Sequence, residues 1–356
     1  MNTGTPDAPT VEAIRPYLTE FLMDPAIIGA PLFVRKHLVN HIVSKRPDRT
    51  VEHYRAFWTP EGSPFMITSL AQRDAVAQEL DRRAAERADA QARSVEGQSD
   101  YVVELAMRYG NPSIRSGLER LRGANCDTVV LVPLYPQNVY VCAGTCLKEA
   151  HDQLGSLAKT GWRPQVREVL SFHDDPAYRQ ALTQAVKRHW TYTPGAKLVV
   201  SFHSTMMRDI KRDDTYLVQD TQTKDWLASD LGVAPEDASL SFQSRFDSRE
   251  WLQPFTEPLL LDMLKQGVKD VCVVCPGFVA DNIETMIEVN KDMRTVFEGG
   301  GADMPHAGKT TMGHVPQNRM EILEEVARNT RFTYVPALGT DPGLICAVVN
   351  AIERVL

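Results

Sequence analysis

From residue 101 to the C-terminus, short apolar runs alternate with stretches of helical spacing, and this rhythm restricts the fold more than any other feature of the chain. YVVELAMRY (101–109), TVVLVPLY (128–135) and VREVLSF (166–172) read as strands, with helices predicted over 113–122, 144–158 and 176–190. The second half repeats the rhythm. KLVVSF (197–202), SLSFQSRF (239–246), DVCVVCPGF (270–278) and RFTYVPAL (331–338) read as strands, and helices are predicted near 222–231, 256–266, 281–296 and 342–355. Strands that alternate with helices of about 10–15 residues imply a parallel sheet covered by helices on both faces.

The two halves also resemble each other. Arg108-Tyr109 ends a strand and Pro133 closes the next, while Arg245-Phe246 and Pro276 do the same further along. The expectation is an α/β protein of two similar Rossmann-like lobes, each a doubly wound parallel sheet, over 1–165 and 166–356, with a cleft between them. A length of 356 residues suits two such lobes. In open α/β sheets the ligand sits beyond the carboxyl ends of the strands. Those ends are Arg108-Tyr109, Leu134-Tyr135, Phe202-His203, Arg245-Phe246 and Pro276 to Phe278. Ahead of the alternation, Val11, Ile14, Leu18, Phe21 and Leu22 mark a helix that Asp24-Pro25 closes.

Charge and composition exclude several classes. With 39 basic against 46 acidic residues the net charge is −7, which excludes a general nucleic-acid binder. No apolar run reaches the roughly 18–20 residues needed to span a bilayer, and the start MNTGTPDAPT is too polar for a signal peptide, so the expected compartment is the cytosol. Residues 27–43 are apolar with interspersed basic residues. They read equally as a core helix with a solvated end or as a pocket lip or membrane-surface contact, which leaves peripheral inner-membrane contact open. Residues 82–100 are polar and Ala-rich and read as an exposed helical extension or loop. The six cysteines fit zinc spacing only loosely and read as buried free thiols. AGKTT lacks the glycine a phosphate loop needs, because Asp303 stands there, and there is no G-x-S-x-G.

Two features carry chemistry. His203 follows the apolar run LVVSF, so its imidazole belongs at a strand's carboxyl end, at the mouth of the cleft. Asp281, Glu284, Glu288 and Asp292 are spaced by three, four and four, which stacks four carboxylates on one helix face. The first two suit the positive end of a helix, but Glu288 and Asp292 lie beyond the first turn and repel unless a cation neutralises them. Such a column leading to a histidine suits a hard cation travelling in and protons travelling out.

GTPDAPT (4–10), EFLMDP (20–25), WTPEGSP (58–64), ELAMRYGNPS (104–113), VPLYPQ (132–137), SFH (201–203), SFQSRF (241–246), WLQP (251–254) and CPGFVADNIET (275–285) occur in that order. With them the chain resembles the ferrochelatase family over nearly its whole length, and WTPEGSP and CPGFVAD are most similar to its proteobacterial branch. The resemblance implies a lyase of haem and porphyrin biosynthesis that inserts Fe2+ into protoporphyrin IX, with two Rossmann-like lobes around a porphyrin cleft. It implies that His203 accepts pyrrole protons or binds the metal, that Glu284 is its partner, and that Asp281 and Glu288 continue the acidic path. It implies metal-side pocket roles for Arg108 and Tyr109, propionate contacts for Arg46, Tyr54 and Ser63, and further porphyrin contacts for Tyr135 and Phe278. Iron enters as substrate, and with no four-cysteine set at a recognisable spacing no tightly bound cofactor or iron–sulfur cluster is expected.

The chain departs from the family pattern in four places. Only Met1-Asn2-Thr3 precede Gly4, where the family has an apolar strand. NVYVCAGTC (138–146) follows VPLYPQ, Ser204-Thr205-Met206 follows SFH, and an insertion with His306 and His314 lies within 299–328. A non-catalytic porphyrin- or haem-binding homologue, a coproporphyrin ferrochelatase and a cobalt chelatase stand as alternatives. Monomer and homodimer are both open.

Overall fold

A computed structural model describes residues 1–45, 47–90, 101–245, 249–299 and 329–356. Arg46, Phe246, His306, His314, residues 91–100 of the Ala-rich stretch and the AGKTT tract lie outside the described residues. The chain divides into two compact units, Met1–Tyr178 with Gly339–Leu356, and Arg179–Leu338. This division differs from lobes of 1–165 and 166–356, because the C-terminal helix belongs with the first unit.

The second unit holds a four-stranded sheet in the order β4-β3-β5-β6, formed by β3 (Lys197–His203), β4 (Ala238–Gln243), β5 (Asp270–Val274) and β6 (Arg331–Val335). All its pairings are parallel. Leu198, Val199, Val200 and Phe202 are wholly buried, as expected of a parallel strand covered on both faces. The register sets His203 opposite Gln243 and Val200 opposite Val274, so three carboxyl ends share one edge of the sheet. The helices Thr215–Leu231 and Thr256–Lys265 fall near their predicted places.

One helix in this unit differs in kind. An α-helix was expected over 281–296, whereas Glu284–Met293 is a π-helix that passes into an α-helix at Arg294–Gly299. Its i→i+5 bonding widens the turn, a geometry that side-chain spacing alone does not reveal. Asp281 stands ahead of it in the loop, so the helical column is Glu284, Glu288 and Asp292.

In the first unit β1 (Thr128–Leu131) pairs in parallel with β2 (Gln165–Glu168). The strand expected over 101–109 is reduced to a bridge between Met107 and Asn2. Met107 also bridges Ser113 in parallel. Gly4 has φ +111, and a Cβ there would lie 2.0 Å from the Tyr109 carbonyl oxygen, so this turn requires glycine. Four helices, Val11–Met23, Leu32–Lys45, Pro47–Phe57 and Pro64–Ala90, precede the sheet, and the C-terminal helix Pro342–Val355 packs on the last of them. Arg83 of that helix donates to Glu353 and Asn350. Among the described residues no helix is long and apolar enough to cross a membrane.

Candidate active site

His203 ends β3 and is held from two sides. Tyr216 Oη donates to its carbonyl oxygen at 3.0 Å, and its Nδ1 lies 2.6 Å from the Ser204 carbonyl oxygen. A carbonyl only accepts, so Nδ1 carries the hydrogen and the neutral ring offers its lone pair at Nε2. Burial lowers the pKa of the imidazole, opposed by the Ser204 bond and the charge of Glu288. The neutral, basic form is therefore the resident one at physiological pH. The Phe278 ring meets the imidazole edge-on, 6.4 Å between centroids.

The carboxylates beside it differ in their engagements. Glu288 accepts from the Ser244 amide at 3.0 Å and from its hydroxyl at 2.5 Å. Ser244 follows β4 with φ +63, a left-handed conformation that turns both donors towards one carboxylate. Burial raises the pKa of Glu288 despite these bonds, and Glu284 adds to the rise. Glu284 is raised mainly by burial, and among the described residues no cation pairs with it. Asp281 is occupied elsewhere. Its Oδ1 accepts from Tyr334 Oη at 2.6 Å, Thr285 Oγ1 at 3.0 Å and the Ala337 amide at 3.3 Å.

Among the described residues no three His, Cys, Asp or Glu side chains converge as a ligand set. The expected metal group of His203, Glu284, Asp281 and Glu288 therefore does not meet as a cage, because Asp281 turns to Tyr334 and Ala337 and Glu288 turns to Ser244. What the unit offers is a basic nitrogen and a run of reluctant carboxylates. Carboxylates with raised pKa values hold a proton more readily than ordinary ones, which suits them to pass protons or to take a passing cation.

Glu257 joins this run and was missed in the sequence. It stands in the first turn of the helix Thr256–Lys265, where an acidic residue reads as a complement to the helix dipole. Burial, then Glu288 and Asp292, raise its pKa to about 7. Beneath the site, Ser201 bonds Gln243 and lies 2.7 Å from Thr256 Oγ1, which is 2.9 Å from Ser241 Oγ. This buried network ties β3 and β4 to the helix that carries Glu257.

The first unit carries the other candidates in a different electrostatic setting. Arg108 pairs with the buried Asp24 carboxylate and lies over the Tyr109 ring at 4.5 Å, with Glu149 at 3.9 Å. Tyr109 Oη donates to the same Asp24 oxygen at 3.0 Å, and burial raises its pKa. Phe21 meets the Tyr109 ring edge-on at 5.0 Å. Tyr54 is buried, with its ring edge-on to Tyr17. The Ser63 hydroxyl is buried 3.3 Å from that of Thr5, and Tyr135 is buried with its hydroxyl bonded to Thr3. Arg108, Tyr109 and Asp24 thus form one cluster, while Tyr54, Ser63 and Tyr135 are enclosed by neighbours of their own.

A family model described as Ferrochelatase matches residues 1–304. A protein of Azoarcus sp. named ferrochelatase is 38% identical over 85% of this chain and 78% of its own length. The Bordetella pertussis protein of that name is 35% identical over 100% of this chain and 87% of its own length. The one from Aromatoleum aromaticum is 37% identical over 86% of this chain and 80% of its own.

Proposed function

The chain belongs to the ferrochelatase family, and on that premise we propose that His203 is the base that accepts the pyrrole protons as iron enters the porphyrin. The reaction is the insertion of ferrous iron into protoporphyrin IX, which gives protohaem and releases two protons. A flat macrocycle must give up two N–H protons while a hydrated dication gives up its water, so the protein needs a base, a supply of metal and a route to solvent. The observation that carries the assignment is the Ser204 carbonyl at His203 Nδ1, which leaves Nε2 as the basic atom.

Glu284 is the next group in the path. Its raised pKa and lack of a cationic partner among the described residues suit it to receive a proton from the imidazole or to hold the iron briefly on its way. Glu288 continues the path, with Ser244 orienting its carboxylate. Asp281 positions the π-helix through Thr285 and Tyr334 instead of meeting the metal. A metal in transit needs weak, successive ligands, since a closed cage would retain it. Arg108 and Tyr109 are proposed as metal-side pocket residues, Arg46, Tyr54 and Ser63 as propionate contacts, and Tyr135 and Phe278 as porphyrin contacts.

The helix Leu32–Lys45 supports peripheral contact with an anionic membrane. Leu32, Phe33, Val34 and Leu38 are exposed, Phe33 at 77%, beside exposed Lys36 and His37, while Val39 and Val43 pack inward. Sedimentation with anionic vesicles tests this, and Phe33→Glu should abolish it.

An anaerobic assay of the purified protein with protoporphyrin and ferrous iron tests the catalytic reading. Metalloporphyrin should form well above the protein-free rate. Tight porphyrin binding with no turnover would instead favour a non-catalytic homologue. Competition between protoporphyrin and coproporphyrin distinguishes the two substrates.

A further inference from the structure

Ser204-Thr205-Met206 is one of the places where the chain leaves the family pattern, and it follows directly on His203. β3 ends at His203, but the Ser204 amide still donates to the Gln243 carbonyl at 2.8 Å, so the ladder to β4 runs one residue past the strand. The chain then takes a new neighbour, residues 250–252. The Leu252 amide donates to the Thr205 carbonyl at 2.8 Å, and the Met207 amide donates to the Glu250 carbonyl at 3.0 Å. Between these bonds Met206 and Trp251 form an antiparallel bridge. Such a pair of bonds flanking one residue couple is the wide spacing of an antiparallel ladder.

The Ser204 side chain joins the same pairing. Its hydroxyl donates to the Leu252 carbonyl at 2.9 Å, and the residue is wholly buried. Residues 250–252 are secured in their turn, because the Phe242 amide of β4 donates to the Pro254 carbonyl at 2.9 Å and Phe242 bridges Phe255. The turn after β3 is therefore clamped between β4 and a segment that β4 also holds. Within this clamp the Ser204 carbonyl faces back to His203 Nδ1 at 2.6 Å.

A side chain reaches the carbonyl of the very next residue only where the backbone bends back towards it. A free histidine side chain favours the hydrogen on Nε2, so holding it on Nδ1 takes an acceptor kept in place at that nitrogen. On the reading of His203 as the base, we propose that Ser204 is its positioning residue: the hydroxyl, tied to the Leu252 carbonyl, sets the Ser204 carbonyl against Nδ1 and so keeps Nε2 bare for the pyrrole protons. Ser204 acts through the imidazole and supplies no proton of its own. An alanine there would leave the Leu252 carbonyl without this donor and the bend without its side-chain tie.

The experiment compares the parent with Ser204→Ala. The first readout is the pair of ring-nitrogen NMR signals of His203 in the metal-free protein, identified by their loss in His203→Ala, since an N–H nitrogen and a bare one resonate far apart. The parent should show the hydrogen on Nδ1. In Ser204→Ala the two signals should move towards each other as the Nε2–H form is populated, and kcat in the anaerobic assay should fall about tenfold, the weight of one hydrogen bond whose loss leaves a buried acceptor unmatched. KM for protoporphyrin should stay within about twofold, because the change acts on the chemical step and not on binding. A melting temperature within about 4 °C of the parent shows the variant to be folded. A variant that keeps the parent's nitrogen signals overturns the positioning role and leaves His203 standing as the base. Moved signals with an unchanged kcat support the hold of Ser204 on the ring and overturn His203 as the base.

Discussion

Two charged clusters stand in the two units, and they are balanced in opposite ways. Around Arg108 a guanidinium is matched by the buried Asp24 carboxylate and capped by the Tyr109 ring. Around Glu288 three carboxyl groups, Glu257, Glu284 and Glu288, gather with raised pKa values, opposed at Glu288 by the donors of Ser244 and by His203. A compensated cluster is at rest, and removing one partner mainly strands the other. An uncompensated cluster carries an electrostatic deficit that protons or a metal ion can fill, which is the property a site for metal entry and proton exit requires.

The sharpest way to break the contrast is at His203. His203→Ala should lower iron insertion by about 10²–10⁴-fold, the usual weight of a general base, with porphyrin binding retained. Next in size, Glu284→Gln should lower the rate by about 10²-fold in the same anaerobic assay. A near-normal rate would make the raised carboxylates incidental. In the first unit the expected loss is of stability. Asp24→Asn leaves the largely buried Arg108 with the more distant Glu149 carboxylate in place of its close partner and should cost about 3 kcal/mol in denaturant unfolding.

The smallest effect is on pH dependence. Glu257 is raised from 4.5 to about 7 in the folded chain, so between those values the folded state binds more protons than the unfolded one. Its contribution to stability is full below pH 4.5 and is lost as pH rises through 7. Glu257→Gln should flatten that decline and leave the protein more stable than the parent at pH 8, measured as the difference in melting temperature across pH 5–8. A parallel pair of curves would remove Glu257 from the uncompensated cluster.

The same contrast between units governs how much of the molecule was legible in its sequence. KLVVSFH and DVCVV are buried on both faces, so their apolar runs announce strands without reference to a partner. The run YVVELAMRY reads as a strand too, yet it forms isolated bridges at Met107, because strand pairing depends on neighbours that an apolar run does not reveal. His203 was legible because a histidine after a buried strand has one place to go. Ser244 and Glu257 were not, since their roles depend on the register that brings the end of β4 and the helix after it beside Glu288. The four-residue spacing of Glu284, Glu288 and Asp292 was legible as a column. The π-helix that carries it was not, because ETMIEVNKDM has no pattern that distinguishes i→i+5 from i→i+4 bonding.

The most direct measurement compares anaerobic kcat/KM for ferrous iron in the Glu284→Gln, Glu288→Gln double variant and in the parent, each with protoporphyrin saturating. The double variant should lose at least about 10²-fold. A double variant that keeps its kcat/KM would contradict the assignment of metal entry and proton exit to the uncompensated carboxylates.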